Sequence, residues 1–199
     1  NTVADVQTND EIGLLAGAFN TMTSRLRGTL ATLEERVAER TRNLELAAEV
    51  GRSVSQVRAL ESMLTDAAEL IRKQFDLYYV QVYLSNTAQT TLLLRSGTGT
   101  VGAELIGRGH SLPLDTASIN GRAASEKRSV VIADTAASAS FRPNPLLPET
   151  RSEMAVPLIV GANVVGVLDM QSEGTGVLSE EALPAFEALA GQLAIAIQN

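Results

Sequence analysis

The sequence predicts an α+β protein in which a long coiled-coil helix leads into an antiparallel sheet of five to six strands with helices on one face. Three observations predict it. An apolar seam, Ile12, Leu15, Phe19, Met22, Leu26, Leu30, Leu33, Val37 and Leu44, holds spacings of three and four as far as Val37, with Leu44 seven residues beyond. Beyond residue 77 the period drops to two, as side chains alternating across a strand require. Helical spacing returns only at the end, in Leu183, Phe186, Ala190, Leu193 and Ile197. A helix at each end of a run of strands is the pattern of a layered α+β domain, with the first and last helices on a shared face.

The first element is justified by what it lacks. From Asp10 to Ala48 there is no proline, and charged residues crowd the positions between the apolar ones. A stripe that narrow needs a second helix to bury it, so a parallel homodimer is expected. In Leu33–Leu44 the seam is thinner, because Arg40 and Thr41 stand at its intervening position. Met22, Leu26 and Leu30 are spaced four and four, which either loosens a supercoil locally or leaves Leu30 off the seam. After Gly51 the pattern restarts with Val54, Val57, Leu60, Leu64, Ala67, Ile71 and Phe75. A single Gly costs only about 1 kcal/mol relative to Ala, so one long helix with a weak point is expected.

The strands follow in order. Tyr78–Leu84 sets Tyr78, Val80, Val82 and Leu84 on one side and Tyr79, Gln81 and Tyr83 on the other. Thr91–Ser96, Val130–Ile132, Glu153–Ile159 and Val164–Ser172 read as four more strands, the last two joined across Val160–Asn163 as a hairpin. Pro157 lacks an N–H, so its strand must lie where that donor is not missed. A short helix is expected near Ser118–Glu126, and Ser179 with Glu180 and Glu181 makes a plausible start for the final helix. Gly97–Gly102 is glycine-rich, but it ends without the Lys-Ser/Thr of a phosphate loop and without a clear following helix.

Composition narrows the function. The 199 residues, 45% hydrophobic, suffice for one core and an appendage. No cysteine is present, which removes disulfides, thiolate metal sites, thiol nucleophiles and thioether-attached chromophores. One histidine cannot build a multi-histidine metal site, and no metal is expected. A net charge of −7 gives no basic face for nucleic acid, so none is expected as a partner. No apolar run nears the roughly 20 residues that cross a bilayer, so membrane contact is not expected of this stretch, which reads as soluble. Its start inside a pattern is expected of a segment cut from a longer protein. Without a nucleophile, a paired-carboxylate motif or a metal cluster, catalysis is not expected.

Two resemblances emerge from the motifs. Asp10-Glu-Ile-Gly-Leu-Leu-Ala-Gly-Ala-Phe-Asn-Thr-Met22 resembles the end of a HAMP domain, with its acidic pair, Gly and Phe-Asn-x-Met run; the first helix and connector of that domain are missing. Ser118-Ile-Asn-Gly-Arg122, Phe141-Arg-Pro-Asn-Pro145, Arg151-Ser-Glu-Met-Ala-Val-Pro-Leu158 and Gly166-Val-Leu-Asp-Met-Gln-Ser172 resemble a GAF domain. The division implied is 1–28 for the C-terminal part of HAMP, 29–51 for a signalling coiled coil and 52–199 for GAF.

Such a tandem implies the middle of a bacterial multidomain receptor, held on the cytoplasmic side of the membrane and linked through dimeric helices to an effector such as the histidine kinase of a two-component system. The GAF resemblance implies a small-ligand pocket between the sheet and the middle loops, for which Tyr79, Tyr83, His110, Asn120, Asp134, Phe141, Arg151 and Glu153 are the candidates. Duller roles stand beside several of these. His110 sits in a flexible Gly107–Pro113 loop, Asp134 can cap a turn, and Arg151 and Glu153 can pair with Glu149, Arg142 or each other. The cofactor is unknown. Absence of cysteine excludes a covalent bilin and the thiol-dependent methionine sulfoxide reductases of this fold, and the Asn-Lys-x-x-x-Phe-x-x-x-Asp-Glu signature of cyclic-nucleotide GAF domains is missing. The alternative function is a ligand-free dimeric spacer that passes a twist or scissor motion along.

Overall fold

The computed structural model describes residues 11–198. Asp10 of the acidic pair, the Glu11 side chain and Asn199 lie outside the described residues. Four helices, α1 (Glu11–Gln74), α2 (Gly99–Gly107), α3 (Ile119–Glu126) and α4 (Leu183–Gln198), accompany six strands: β1 (Tyr79–Ser85), β2 (Thr91–Gly97), β3 (Ser111–Pro113), β4 (Val130–Ile132), β5 (Ser152–Val160) and β6 (Asn163–Ser172). The chain divides into two compact units at residues 56 and 57.

In the first unit α1 is helical without interruption through Gly51, as the restarted apolar pattern led us to expect. Its exposed hydroxyls are satisfied locally: Thr21, Thr23, Thr29, Thr32 and Thr41 each donate to the carbonyl four residues back, at 2.8–3.0 Å. The seam residues Leu15, Phe19, Met22, Leu26, Leu30, Leu33, Val37 and Leu44 are each 52–71% exposed in the single chain.

The second unit is built on one sheet of order β3-β2-β1-β6-β5-β4 with every neighbouring pair antiparallel. Leu77 N donates to Arg72 O at 2.9 Å as α1 ends, and Asp76 turns the chain at a φ of 51°. Alternation along β1 then sorts Tyr79–Leu84 as the sequence indicates, whereas Tyr78, expected on the side of Val80, precedes the strand and packs against the cluster of Tyr79 and Tyr83. Val80 and Val82 join Leu168 and Met170 of β6 and Met154, Val156 and Leu158 of β5 beneath Leu64, Ala68 and Ile71 of α1 and Phe186, Ala190, Leu193 and Ala194 of α4. The Phe75 and Phe186 rings meet with centroids 4.8 Å apart. Tyr79 and Tyr83 face the other way, into a second cluster with Leu92, Leu94, Leu105, Ala123, Ala124, Leu147, Ala155 and Val167.

The expectation that the first and last helices share a face therefore holds for α1 and α4, and the structure adds α2 and α3 on the opposite face. Three local details differ from the sequence reading. The glycine-rich stretch does run into a helix, α2, and β3 is a three-residue strand the periodicity could not show. Ser179 does not cap α4: its carbonyl accepts from the N–H of Ala182 and Leu183 in a preceding turn, and Pro184 falls in the first turn of α4, where a missing N–H is harmless. Pro157 lies beyond the part of β5 that pairs with β4, which is limited to Glu153–Ala155.

Two glycines of the stretch, Gly97 and Gly102, serve packing. A Cβ on Gly102 would overlap the Gly97 carbonyl and Cα, so α2 lies directly on the β2 backbone. Gly102→Ala is expected to destabilise the second unit by about 1–3 kcal/mol, the usual result of forcing a methyl into filled space. Gly107→Ala, whose Cβ meets nothing within 4 Å, should stay within about 0.5 kcal/mol of the parent. Urea denaturation followed by circular dichroism compares the two.

Candidate functional site

Register creates the site. On the α2/α3 face of the three central strands, Tyr79, Gln171 and Glu153 stand in one cross-strand row, and Gln81, Asp169 and Ala155 in the next. Five polar side chains thus meet in the middle of a sheet covered on both faces. Gln81, Glu153, Asp169 and Gln171 are each at most 5% exposed, and Asn120, the second residue of α3, is 4% exposed beside them. Its placement follows from Ser118, whose hydroxyl accepts from Gly121 N at 2.9 Å and fixes the start of α3.

A chain of hydrogen bonds orients the group. Thr150 Oγ1 donates to Gln171 Oε1 at 2.7 Å, which turns the Gln171 amide N–H toward Asp169 Oδ2 at 3.2 Å and Glu153 Oε1 at 3.4 Å. The Gln81 carboxamide also donates to Asp169 Oδ2. Burial pushes the Asp169 carboxyl above the ordinary range, opposed by the hydrogen bonds that Gln81 and Gln171 bring to it. Burial pushes Glu153 well above its ordinary value, and the neighbouring Asp169 charge and their shared hydrogen bond push it further. Two carboxylates this close do not both ionise. Asp169 accepts from two carboxamides and Glu153 from one, so of the pair it is Glu153 whose protonated form is favoured more strongly.

Above this floor is a cavity of about 450 Å³. Its walls are Tyr83, Leu105, Leu112 and Ile119, and its outer rim is Arg108, His110 and the Phe141–Leu146 segment. That segment is stiffened by Pro143 and Pro145 and turned by Asn144 Oδ1, which accepts from Leu146 N at 3.0 Å. His110 is held both ways that the sequence allowed. Its backbone bonds Leu94 and Leu105 at 3.0 Å, and its ring lies 6.1 Å from that of Tyr83. Partial burial lowers its pKa, so the ring is neutral near pH 7.

Of the residues singled out from sequence, the cavity brings together Tyr83, His110, Asn120, Phe141 and Glu153. It leaves out the other three. Tyr79 is buried with its hydroxyl against the Gly97 backbone, and burial raises its pKa. Asp134 caps a turn by accepting from Ala136 N at 2.9 Å, and Arg151 pairs with Glu149 at 3.5 Å. Sequence reasoning missed Gln81, Asp169 and Gln171. The available signal was Asp169 and Gln171 alternating with Leu168 and Met170 in an otherwise apolar strand. Among the described residues no group of three or more His, Cys, Asp or Glu is arranged to hold a metal ion, and no helix is long and apolar enough to cross a membrane.

This architecture is that of the GAF domain, and the chain belongs to that family: the family model matches residues 57–198. A HAMP domain model matches residues 1–28. No curated protein matches the sequence. Among solved structures, the chain is similar to the GAF domain of a phosphoenolpyruvate-protein phosphotransferase from Coxiella burnetii, at 19% identity and a TM-score of 0.60 over 74% of this chain and 89% of that one. Residues 122 to 287 of a methyl-accepting chemotaxis protein match at 21% identity and 0.59 over 72% and 93%. The free methionine-R-sulfoxide reductase from Neisseria meningitidis, solved in complex with its substrate, matches at 24% and 0.59 over 70% and 78%. HAMP and GAF domains together mark a signal-transduction sensory module. With no cysteine, this chain offers no thiol for covalent bilin attachment.

A proton on Glu153 has a consequence for stability. An acid whose pKa is raised by folding binds more protons folded than unfolded, so stability falls as pH rises from the ordinary glutamate range to the raised value. The second unit is expected to melt at a lower temperature as pH climbs through that window, and Glu153→Gln to flatten the dependence. Thermal melts from pH 4 upward, at constant ionic strength, check it.

Proposed function

We propose that this chain is a sensory relay of a membrane-associated bacterial receptor, in which a small molecule held in the GAF cavity biases the packing of paired helices that lead to an effector such as a histidine kinase. The observation that carries it is the shared use of β1, β6 and β5. One face of these strands floors the cavity, and the other seats the end of α1 and α4. A ligand shifts such a system only through unequal affinity for its two arrangements, and here the groups it would touch and the helices it would bias lie on the same three strands. The cavity also favours this reading over the ligand-free spacer, which would need no opening above a polar floor.

On this reading residues 1–28 are the last part of a HAMP domain, 29–51 a signalling coiled coil and 52–199 the sensing domain, on the cytoplasmic side of the membrane and without catalysis of its own. Two copies pair in parallel through the seam, each covering apolar side chains that the single chain leaves open to water.

Light scattering on the whole chain tests the pairing. The parent should run as a dimer, and Leu33→Asp with Val37→Asp should lower its association at least tenfold by placing charge in the seam; unchanged association of the double variant, or a monomeric parent, would overturn the relay. Ligand occupancy is tested by calorimetry against a broad metabolite set. Heat from at least one compound, abolished when Ile119→Trp fills the cavity, is the expected result.

A further inference from the structure

The floor of the cavity is short of hydrogen-bond donors. Among the described residues Asp169 Oδ1, Gln81 Oε1 and Asn120 Oδ1 are buried oxygens with no hydrogen-bond partner; Gln81 and Asn120 line the cavity, and Asp169 lies behind Gln81. All three are acceptors. An unmet buried acceptor is costly, and three gathered beside a pair of carboxyl groups ask for the same thing: several N–H donors and a positive charge. The Tyr79 and Ser96 hydroxyls are also unpaired, but neither lines the cavity.

Resting on the cavity being a ligand site, we propose that it takes an organic primary amine, whose ammonium group sits on the Gln81–Asn120–Glu153 floor, with the buried Asp169 carboxyl behind it, bonded to Gln81 and Gln171. A bare metal ion would leave most of the 450 Å³ empty, and the walls of Tyr83, Leu105, Leu112, Ile119 and Phe141 call for a carbon body. An ammonium offers three N–H donors, whereas a quaternary amine offers none. At the rim Arg108 is paired with Glu104, and Arg142 has no ion-pair partner among the described residues, so an acidic group at the far end of the same molecule is tolerated.

The proton balance follows from the groups around the floor. Asp169 of β6 and Glu153 of β5 are the acids, Gln81, Tyr79 and Tyr83 of β1 and Asn120 of α3 face them, and His110, Arg108 and Arg142 stand at the rim. In the empty pocket the Glu153 proton partly supplies the missing donor. An arriving ammonium replaces it, so Glu153 gives its proton to solvent and the ion meets the Glu153 carboxylate directly, with the Asp169 charge behind it. Affinity then rises with pH until Glu153 is ionised in the free protein.

The test is calorimetry on the whole chain with a panel of aliphatic and aromatic primary amines and free amino acids, each beside its N-acetyl and N-trimethyl counterpart, together with organic acids of similar size and calcium chloride. At least one primary amine should bind, with both counterparts at least tenfold weaker. Repeating the titration in phosphate and in HEPES, which differ in ionisation heat and carry no primary amine, should show release of up to one proton per site at pH 7. Glu153→Gln should abolish that release and weaken binding at least tenfold, and Asp169→Asn serves where the first variant fails to fold. Binding by neutral or anionic compounds in preference to amines, equal binding of the N-trimethyl forms, or tight calcium binding that excludes amines would overturn the amine assignment and leave the cavity reading intact. No binding from any class would overturn both.

Discussion

The register of β1, β6 and β5 is the constraint on which the second unit depends. Because the side-chain period of a strand is two, pairing Val82 with Leu168 and Leu168 with Val156 places an all-apolar row on one face and commits Gln81, Asp169 and Ala155 to the other. A slip of one residue in β6 would send Asp169 into the packing beneath α1 and α4 and Leu168 into the cavity floor, and a slip in β1 or β5 would do the same to Gln81 or Glu153. Apolar burial on the helix side therefore specifies the position of the polar groups on the cavity side. Part of what fixes the floor is packing energy gained on the opposite face.

The same arrangement explains why the floor tolerates two carboxyl groups at no more than 5% exposure. Neither is compensated by a cation among the described residues. The carboxamides of Gln81 and Gln171 fill that place, with Thr150 holding Gln171 in an orientation that presents its N–H groups to both acids. Such a network specifies geometry more than it stabilises the fold, since an apolar set of the same volume would avoid the desolvation cost altogether. A floor kept polar at that cost is more readily understood as serving a ligand than as serving the fold.

Much of this was legible in the chain. The change from period 3.6 to period 2 near residue 77, the two dressed sides of Tyr79–Leu84 and the hairpin at Val160–Asn163 all follow from side-chain geometry that acts within a few residues. The site was legible only in part, for a physical reason. Glu153, Asn120 and Phe141 stand out locally as polar or aromatic residues in a strand, a helix start and a proline-rich loop. Asp169 and Gln171 acquire their meaning from Gln81 and Glu153 across the sheet, and β3 and α2 from contacts with β2. Asp134 and Arg151 were the converse: chemically suggestive residues whose partners are the turn and the carboxylate nearest to them.

The helix that enters the second unit raises an energetic question of its own. Residues 11–56 of α1 carry Gly13, Gly17, Gly28 and Gly51, each costing about 1 kcal/mol relative to Ala, and the mostly exposed seam gains nothing from burial in the single chain. Pairs of charges three or four apart offset a few tenths of a kcal/mol each. Propensity alone therefore leaves this stretch close to balance, and a helix close to balance is the kind whose winding a neighbour can alter. Burying a Leu or Val seam residue against a second helix contributes about 1.5–3 kcal/mol, which exceeds the cost of any one glycine. Where the seam thins, at Arg40 and Thr41, and again at Gly51, that contribution lapses. In the paired helix proposed above, those two points, both before Leu64, are where a change of twist costs least.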